Sequence, residues 1–324
     1  MLYPIKFYPT FKDYIWGGRQ LENYNKMLPK GIVAESWEIS THKDGESIVS
    51  NGQYRNIPLS ELIKKLGQKL MGTAISEKDL EKFPLLVKLI DANDCLSVQV
   101  HPNDEYARIH ENGEYGKNEM WYIVEAKPGA EIVYGVKTGV TKEAFSKAVK
   151  EDSIDSCLNY LEVKAGDSVN IPAGLIHAIG KGILIAEIQQ NSNTTYRVFD
   201  YNRLDMLGNK RPLHIDKALE VINFDNCNIS GKLIGVRTSL TKSSYKDRLV
   251  SNPYFTVEVY NIKDEVEEIA DGSRFFLYTA LMGSGELLYE GGREKIIKGE
   301  SIFIPASLGK YKITGDLKLI KSYI

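Results

Sequence analysis

Apolar positions along the chain fall into two rhythms. Leu59, Leu62, Ile63, Leu66 and Leu70 recur at helical spacing and stop at Gly72, which predicts an amphipathic helix ended by glycine. Ala144, Phe145, Ala148 and Val149, continued by Ile154, Cys157, Leu158 and Leu161, predict a second helical insert. Ile215, Leu219 and Ile222 share one face after Pro212 and predict a third helix. The remainder reads as short strands cut by Gly, Pro, Asn and Asp, among them 83–91, 97–101, 119–124, 131–134, 168–172 and 182–189.

Alternation within those strands assigns faces. Ser97, Gln99 and His101 point one way while Val98 and Val100 point the other. Lys88 falls with Leu86 and Ile90, and Glu35 with Trp37 and Ile39. Charged groups interleaved with apolar ones are expensive to bury without partners, so these strands predict an inward-facing polar cavity. An internal echo adds architecture: glycine, five residues, proline, four residues and histidine run from Gly166 through Pro172 to His177, and Gly299, Pro305 and Lys310 repeat the spacing. The repeated pattern resembles the second signature of the cupin superfamily. That resemblance implies a mainly β fold of two cupin-like jelly-roll barrels with helical insertions. Residues 1–240 form the metal-binding catalytic domain and 241–324 a degenerate C-terminal cupin-like domain, the join lying between the helix ending near Phe224 and the strand beginning near Pro253. Lys310, standing where the first copy has histidine, marks a second barrel that scaffolds rather than catalyses.

Composition narrows the function classes. With 26% charged residues and a formal net charge of -2, the surface as a whole offers no general attraction to nucleic acid or anionic membrane. Lys and Pro interrupt the apolar start every few residues, unlike the unbroken core of a signal peptide, and no later run reaches membrane-spanning length. Cys95, Cys157 and Cys227 are odd in number and widely separated, which argues against a disulfide framework or a cysteine-based zinc knuckle. The expectation is a reduced, cytoplasmic protein acting on a small molecule, with oligomeric state left open.

Candidate chemistry concentrates in separated stretches. Ser97 to Asp104, Lys117 to Met120 and Ile171 to His177 supply two imidazoles (His101, His177), a carboxylate (Glu119) and an amide oxygen (Gln99). Such a set can ligate a divalent first-row metal and leave room for a substrate oxygen. His42, His110 and His214 lack a partner at metal-ligand spacing, and Glu35 is placed no closer than orienting a ligand.

Residues 95–104, 117–122, 166–180 and 187–203, agreeing in order and spacing, resemble the short bacterial form of type I mannose-6-phosphate isomerases. The resemblance implies one Zn2+ per chain, with Gln99, His101, Glu119 and His177 as ligands and Arg197 as an active-site residue. It departs at Ser192-Asn193, where many relatives have Ser-Asp, so the proton-transfer base is assigned to Glu187 instead. A family lysine six positions after the arginine is here Arg203, which keeps charge but changes phosphate geometry. The implied reaction interconverts mannose 6-phosphate and fructose 6-phosphate through an enediol, with Glu187 moving the proton and Lys117 or Arg197 adding positive charge where oxygen becomes anionic. Ser97, Lys88, Arg197 and Arg203 are the expected phosphate contacts. Two histidines and a carboxylate also form an iron triad, so a metal-dependent oxygenase is the competing enzyme class. A non-catalytic sugar-phosphate-binding cupin is the competing binding class.

Overall fold

The computed structural model describes residues 1–204, 207–225 and 231–324; Cys227 lies outside the described residues. Strands dominate, and all pair antiparallel. A six-stranded sheet runs in the order Ser168–Ile171, Glu119–Ala126, Ile183–Gln190, Leu85–Ala92, Glu35–Ile39, Thr10–Lys12. A five-stranded sheet faces it in the order Leu158–Glu162, Glu131–Val136, His177–Ile179, Val98–Val100, Tyr196–Phe199. Between them Ile90, Trp121, Ile123, Ile132, Ile179 and Ile185 pack into one apolar cluster.

The six-stranded sheet is covered on both faces, which explains why Leu85–Ala92 and Ile183–Gln190 are buried at every residue. Val87, Leu89, Met120, Tyr122, Ala186 and Ile188, on the face away from the cavity, pack against Phe255, Val257, Leu277 and Phe303 of the C-terminal sheet. Helices cover the outer face of the five-stranded sheet: Phe145, Ala148 and Ala218 pack on Val98, Val100, Val133 and Ala178. The third sheet has ten strands, built on the long Phe276–Tyr289 and Gly309–Tyr323 strands. It has its own apolar cluster, with Tyr260, Tyr278, Leu287, Ile302, Tyr311 and Leu319, and Lys310 is exposed. No helix among the described residues is long and apolar enough to cross a membrane.

The expected helices form at Leu59–Leu66 with Gln68–Met71, at Lys142–Lys150, and at Ile215–Val221. The second insert ends sooner than its apolar spacing predicts. After a single 3-10 turn at Ile154–Cys157 the chain becomes the strand Leu158–Glu162, because Leu158 and Leu161 pair across to Val136 and Ile132. A further helix, Asp104–His110, is capped by Asn103, whose side chain accepts from the Tyr106 N–H. The strand Ile5–Tyr8 pairs with Ser301–Ile304, and the hairpin of Val236–Ser239 with Tyr245–Ser251 spans residue 240, so the N-terminal strand and the C-terminal segment share one sheet.

Candidate active site

Register builds the site. On the five-stranded sheet Gln99 lies between His177 on one side and Arg197 on the other, and all three side chains take the face opposite Val98 and Val100. On the six-stranded sheet Glu187 is level with Lys88 and with Trp121, while Gln189 is level with Glu119. One end of the cavity is therefore lined by isoleucines and the other by charge. A cleft of about 220 Å³ opens at the charged end, lined among others by Tyr14, Trp16, Glu35, Lys88, Ser97, Gln99, Lys117, Glu187, Asn193, Arg197 and Arg211. Trp16 reaches it through a tight turn: a Cβ on Gly17 would lie 2.6 Å from Ala34 Cα, so only glycine fits there.

His101, Glu119 and His177 converge, fully buried, with their ligand atoms within 4.8 Å of one another. His101 Nδ1 is 2.9 Å from the Thr194 carbonyl and His177 Nδ1 is 2.8 Å from the Leu175 carbonyl. A carbonyl can only accept, so each Nδ1 carries the hydrogen and each Nε2 presents a lone pair. Those two Nε2 atoms face each other at 3.1 Å, and Glu119 Oε1 is 3.3 Å from that of His101. Two lone pairs and a carboxylate aimed at one point call for a cation. Nitrogens bound to one ion at about 2.1 Å with tetrahedral geometry lie about 3.4 Å apart, close to the spacing seen. Gln99 Nε2 is 3.4 Å from His177 Nε2, so its amide stands at the same point, and Ser97 Oγ donates to its Oε1 at 3.4 Å.

The charges around this point are ordered. Lys117 donates to Glu119 and stands 3.1 Å from His101 Nε2. Burial, then the Lys117 ammonium, hold His101 down to about 3, and burial lowers His177, so both imidazoles stay neutral at ordinary pH. Burial acts to raise Glu119, yet Lys117 and His101 outweigh it and keep the carboxyl well below the usual range. Trp121 Nε1 donates to both carboxylates, at 3.1 Å to Glu119 Oε2 and 2.9 Å to Glu187 Oε2. Burial, then the charge of Glu119, push Glu187 up, against the pull of Lys88 and Lys117. Lys88 is buried between Glu187 Oε1 at 3.1 Å and Glu35 Oε2 at 3.6 Å, and Glu35 also accepts from Trp37 Nε1 at 2.6 Å. Burial disfavours the Lys88 ammonium, but the two carboxylates more than restore it and its pKa is raised.

Of the residues singled out in the sequence, Lys88, Ser97, Gln99, Lys117, Glu187 and Arg197 line the cleft, and His101, Glu119 and His177 cluster behind it against Lys117 and Gln99. Arg203 is not among its lining. Its guanidinium is engaged by Asp200 at 2.5 Å and by the Cys95 carbonyl at 2.5 Å. Lys88 lines the cleft, and two carboxylates, Glu187 and Glu35, hold its ammonium there. Arg211 takes the place expected of Arg203: it lines the cleft and is anchored by Asp200, Nε to Oδ2 at 2.8 Å. No local pattern singles out Arg211, which follows Gly-Asn-Lys in a polar loop. Arg197 donates from Nη1 to the Pro212 carbonyl at 2.9 Å, and its buried Nε has no protein partner.

Comparison with known proteins gives the same direction. Residues 5–132 match the family model for the catalytic domain of type I phosphomannose isomerase, and residues 245–324 the one for the cupin domain of mannose-6-phosphate isomerase. The chain is 38% identical over 325 residues to a mannose-6-phosphate isomerase of Bacillus subtilis, with 99% of both chains covered. It is also 38% identical over 328 residues to that of Streptococcus mutans, covering 100% of this chain and 99% of that one. The crystal structure of the mannose 6-phosphate isomerase from Bacillus subtilis superposes with a TM-score of 0.92 at 35% identity, and each chain is covered completely.

Proposed function

Because the chain belongs to the type I phosphomannose isomerases and is a mannose-6-phosphate isomerase, we propose that it uses a single zinc ion and moves a proton between C1 and C2 of the open-chain sugar through an enediol. The observation that carries this reading is a buried two-histidine, one-carboxylate cluster in contact with Lys117 and Gln99 of the cleft wall, beside a second, separately held carboxylate that lines the cleft. When bound, zinc polarises a substrate oxygen and stabilises the negative charge that grows on it.

His101, Glu119 and His177 would hold the ion, with the Gln99 amide beside them. Glu187 is the base: it takes the proton from one carbon and returns it to the neighbour, and its raised pKa suits a group that must both accept and give. Lys88 keeps that carboxylate ionised, and Trp121 fixes its orientation. Lys117 donates toward the oxygen that becomes anionic. Arg197 and Arg211, with the Ser97 hydroxyl, bind the phosphate, since paired guanidinium donors suit a dianion. Residues 1–240 carry all of this chemistry, and 241–324 support it. A coupled assay on zinc-loaded protein under nitrogen tests the reading: mannose 6-phosphate is converted to fructose 6-phosphate at an undiminished rate without oxygen, and absence of turnover sinks it.

A further inference from the structure

The short hairpin of Thr41–His42 with Gly45–Glu46 carries Lys43 and Asp44 at its tip, and this tip touches the active-site segment after Ile183–Gln190. Asn193 Nδ2 donates to Asp44 Oδ2 at 2.8 Å. An ionised carboxylate only accepts, so the nitrogen end of the amide is the end that must face Asp44. Asn193 lines the catalytic cleft as well as the recess on the outer side of the same segment, whereas Asp44 lines the recess alone. The hairpin tip is itself anchored. The Asp44 N–H donates to His42 Nδ1 at 3.1 Å, and the Asp44 carbonyl accepts from Lys12. The tethered segment is also the one whose Thr194 carbonyl orients His101 and which leads into Arg197.

We propose that Asp44 is a positioning residue for the isomerase reaction. It commits the Asn193 nitrogen outward, leaving Oδ1 as an acceptor for a sugar hydroxyl in the cleft, and it fixes the segment that holds His101. An aspartate at 193 would set two carboxylates against each other, and Asn193 and Asp44 work as a matched pair.

This inference rests on the isomerase reading, and its test separates the two. Steady-state kinetics on mannose 6-phosphate are measured for the zinc-loaded full chain, for Asp44→Ala, for Asn193→Asp, and for Asn193→Asp combined with Asp44→Asn. Asp44→Ala raises KM about fivefold with a smaller change in kcat, the scale of one partly exposed hydrogen bond to a charge. Asn193→Asp raises KM about tenfold or more through like-charge contact, and adding Asp44→Asn brings it back to within about threefold of the parent, because the exchanged pair again donates across the gap and leaves an acceptor in the cleft. Parental KM in Asn193→Asp, or a combined variant no better than the single one, overturns the proposal. Where the parent itself fails to turn over, the functional reading is at fault, and the Asn193 side-chain amide resonance decides the pairing: it shifts in Asp44→Ala if the pair exists and stays in place if it does not.

Discussion

Replacing Lys88 with methionine removes the one ammonium buried between Glu187 and Glu35 while keeping most of the side-chain volume. At an effective dielectric of about 20, unit charges at the 3.1 Å separating Lys88 Nζ from Glu187 Oε1 attract by about 5 kcal/mol. Glu35 competes for the same ammonium, so Glu187 feels only part of that attraction, and its loss moves the Glu187 pKa upward. Glu187 acts as a base only when ionised, so the rate is lost as pH falls through its pKa, and raising that pKa moves the loss to higher pH. The assay is the pH dependence of kcat/KM, with zinc content and circular dichroism as controls, since breaking a buried pair also destabilises by about 3–5 kcal/mol. Zinc stays at the parental level because Lys88 touches none of the ligands. An acid limb that does not move in folded, zinc-loaded protein refutes the assignment of Glu187 as the base that Lys88 keeps charged.

Four further outcomes follow from the geometry. His101→Ala and His177→Ala lose zinc and turnover together, whereas Arg197→Ala keeps its zinc and loses rate, as metal analysis beside kinetics will record. Both imidazoles titrate below their ordinary 6.5, and protonation is what competes with the metal, so zinc retention followed across an acid titration has its midpoint below pH 6.5. Arg211→Met raises KM for mannose 6-phosphate by about tenfold or more, as expected for a lost charge-assisted contact to phosphate, while Arg203→Met leaves it within about threefold; equal effects would return Arg203 to the site. Phe303 is fully buried where the ten-stranded sheet packs on the six-stranded one, with Phe275 stacked on it at 5.0 Å, so Phe303→Ala destabilises by about 3–5 kcal/mol, seen as a lower denaturant midpoint.

The site residues legible in the sequence are those whose meaning is local. Strand alternation put Ser97, Gln99 and His101 on one face, and the glycine-proline-histidine spacing brought His177 in from a second segment; both hold in the structure. Lys88 beside Ile90 signalled a charge in an apolar row, but its partners came from other strands. Its pairing with Glu187 and Glu35 is therefore not legible from its own strand. Arg203 and Arg211 both pair with Asp200, and no periodicity encodes which of the two also lines the cleft. Leu158 and Leu161 fit a helical rhythm and a strand equally well, and pairing with Glu131–Val136 decided between them. Asp104–His110 was missed for the opposite reason: its apolar positions are too few to set a period, and its cap is the stronger signal.

The proposed mechanism requires one ion at one point. Crystals of zinc-loaded protein, measured on both sides of the zinc absorption edge, are expected to show a single anomalous peak per chain about 2.0–2.2 Å from His101 Nε2, His177 Nε2 and a Glu119 oxygen. A peak elsewhere in the chain, or full turnover in protein that shows none, contradicts it.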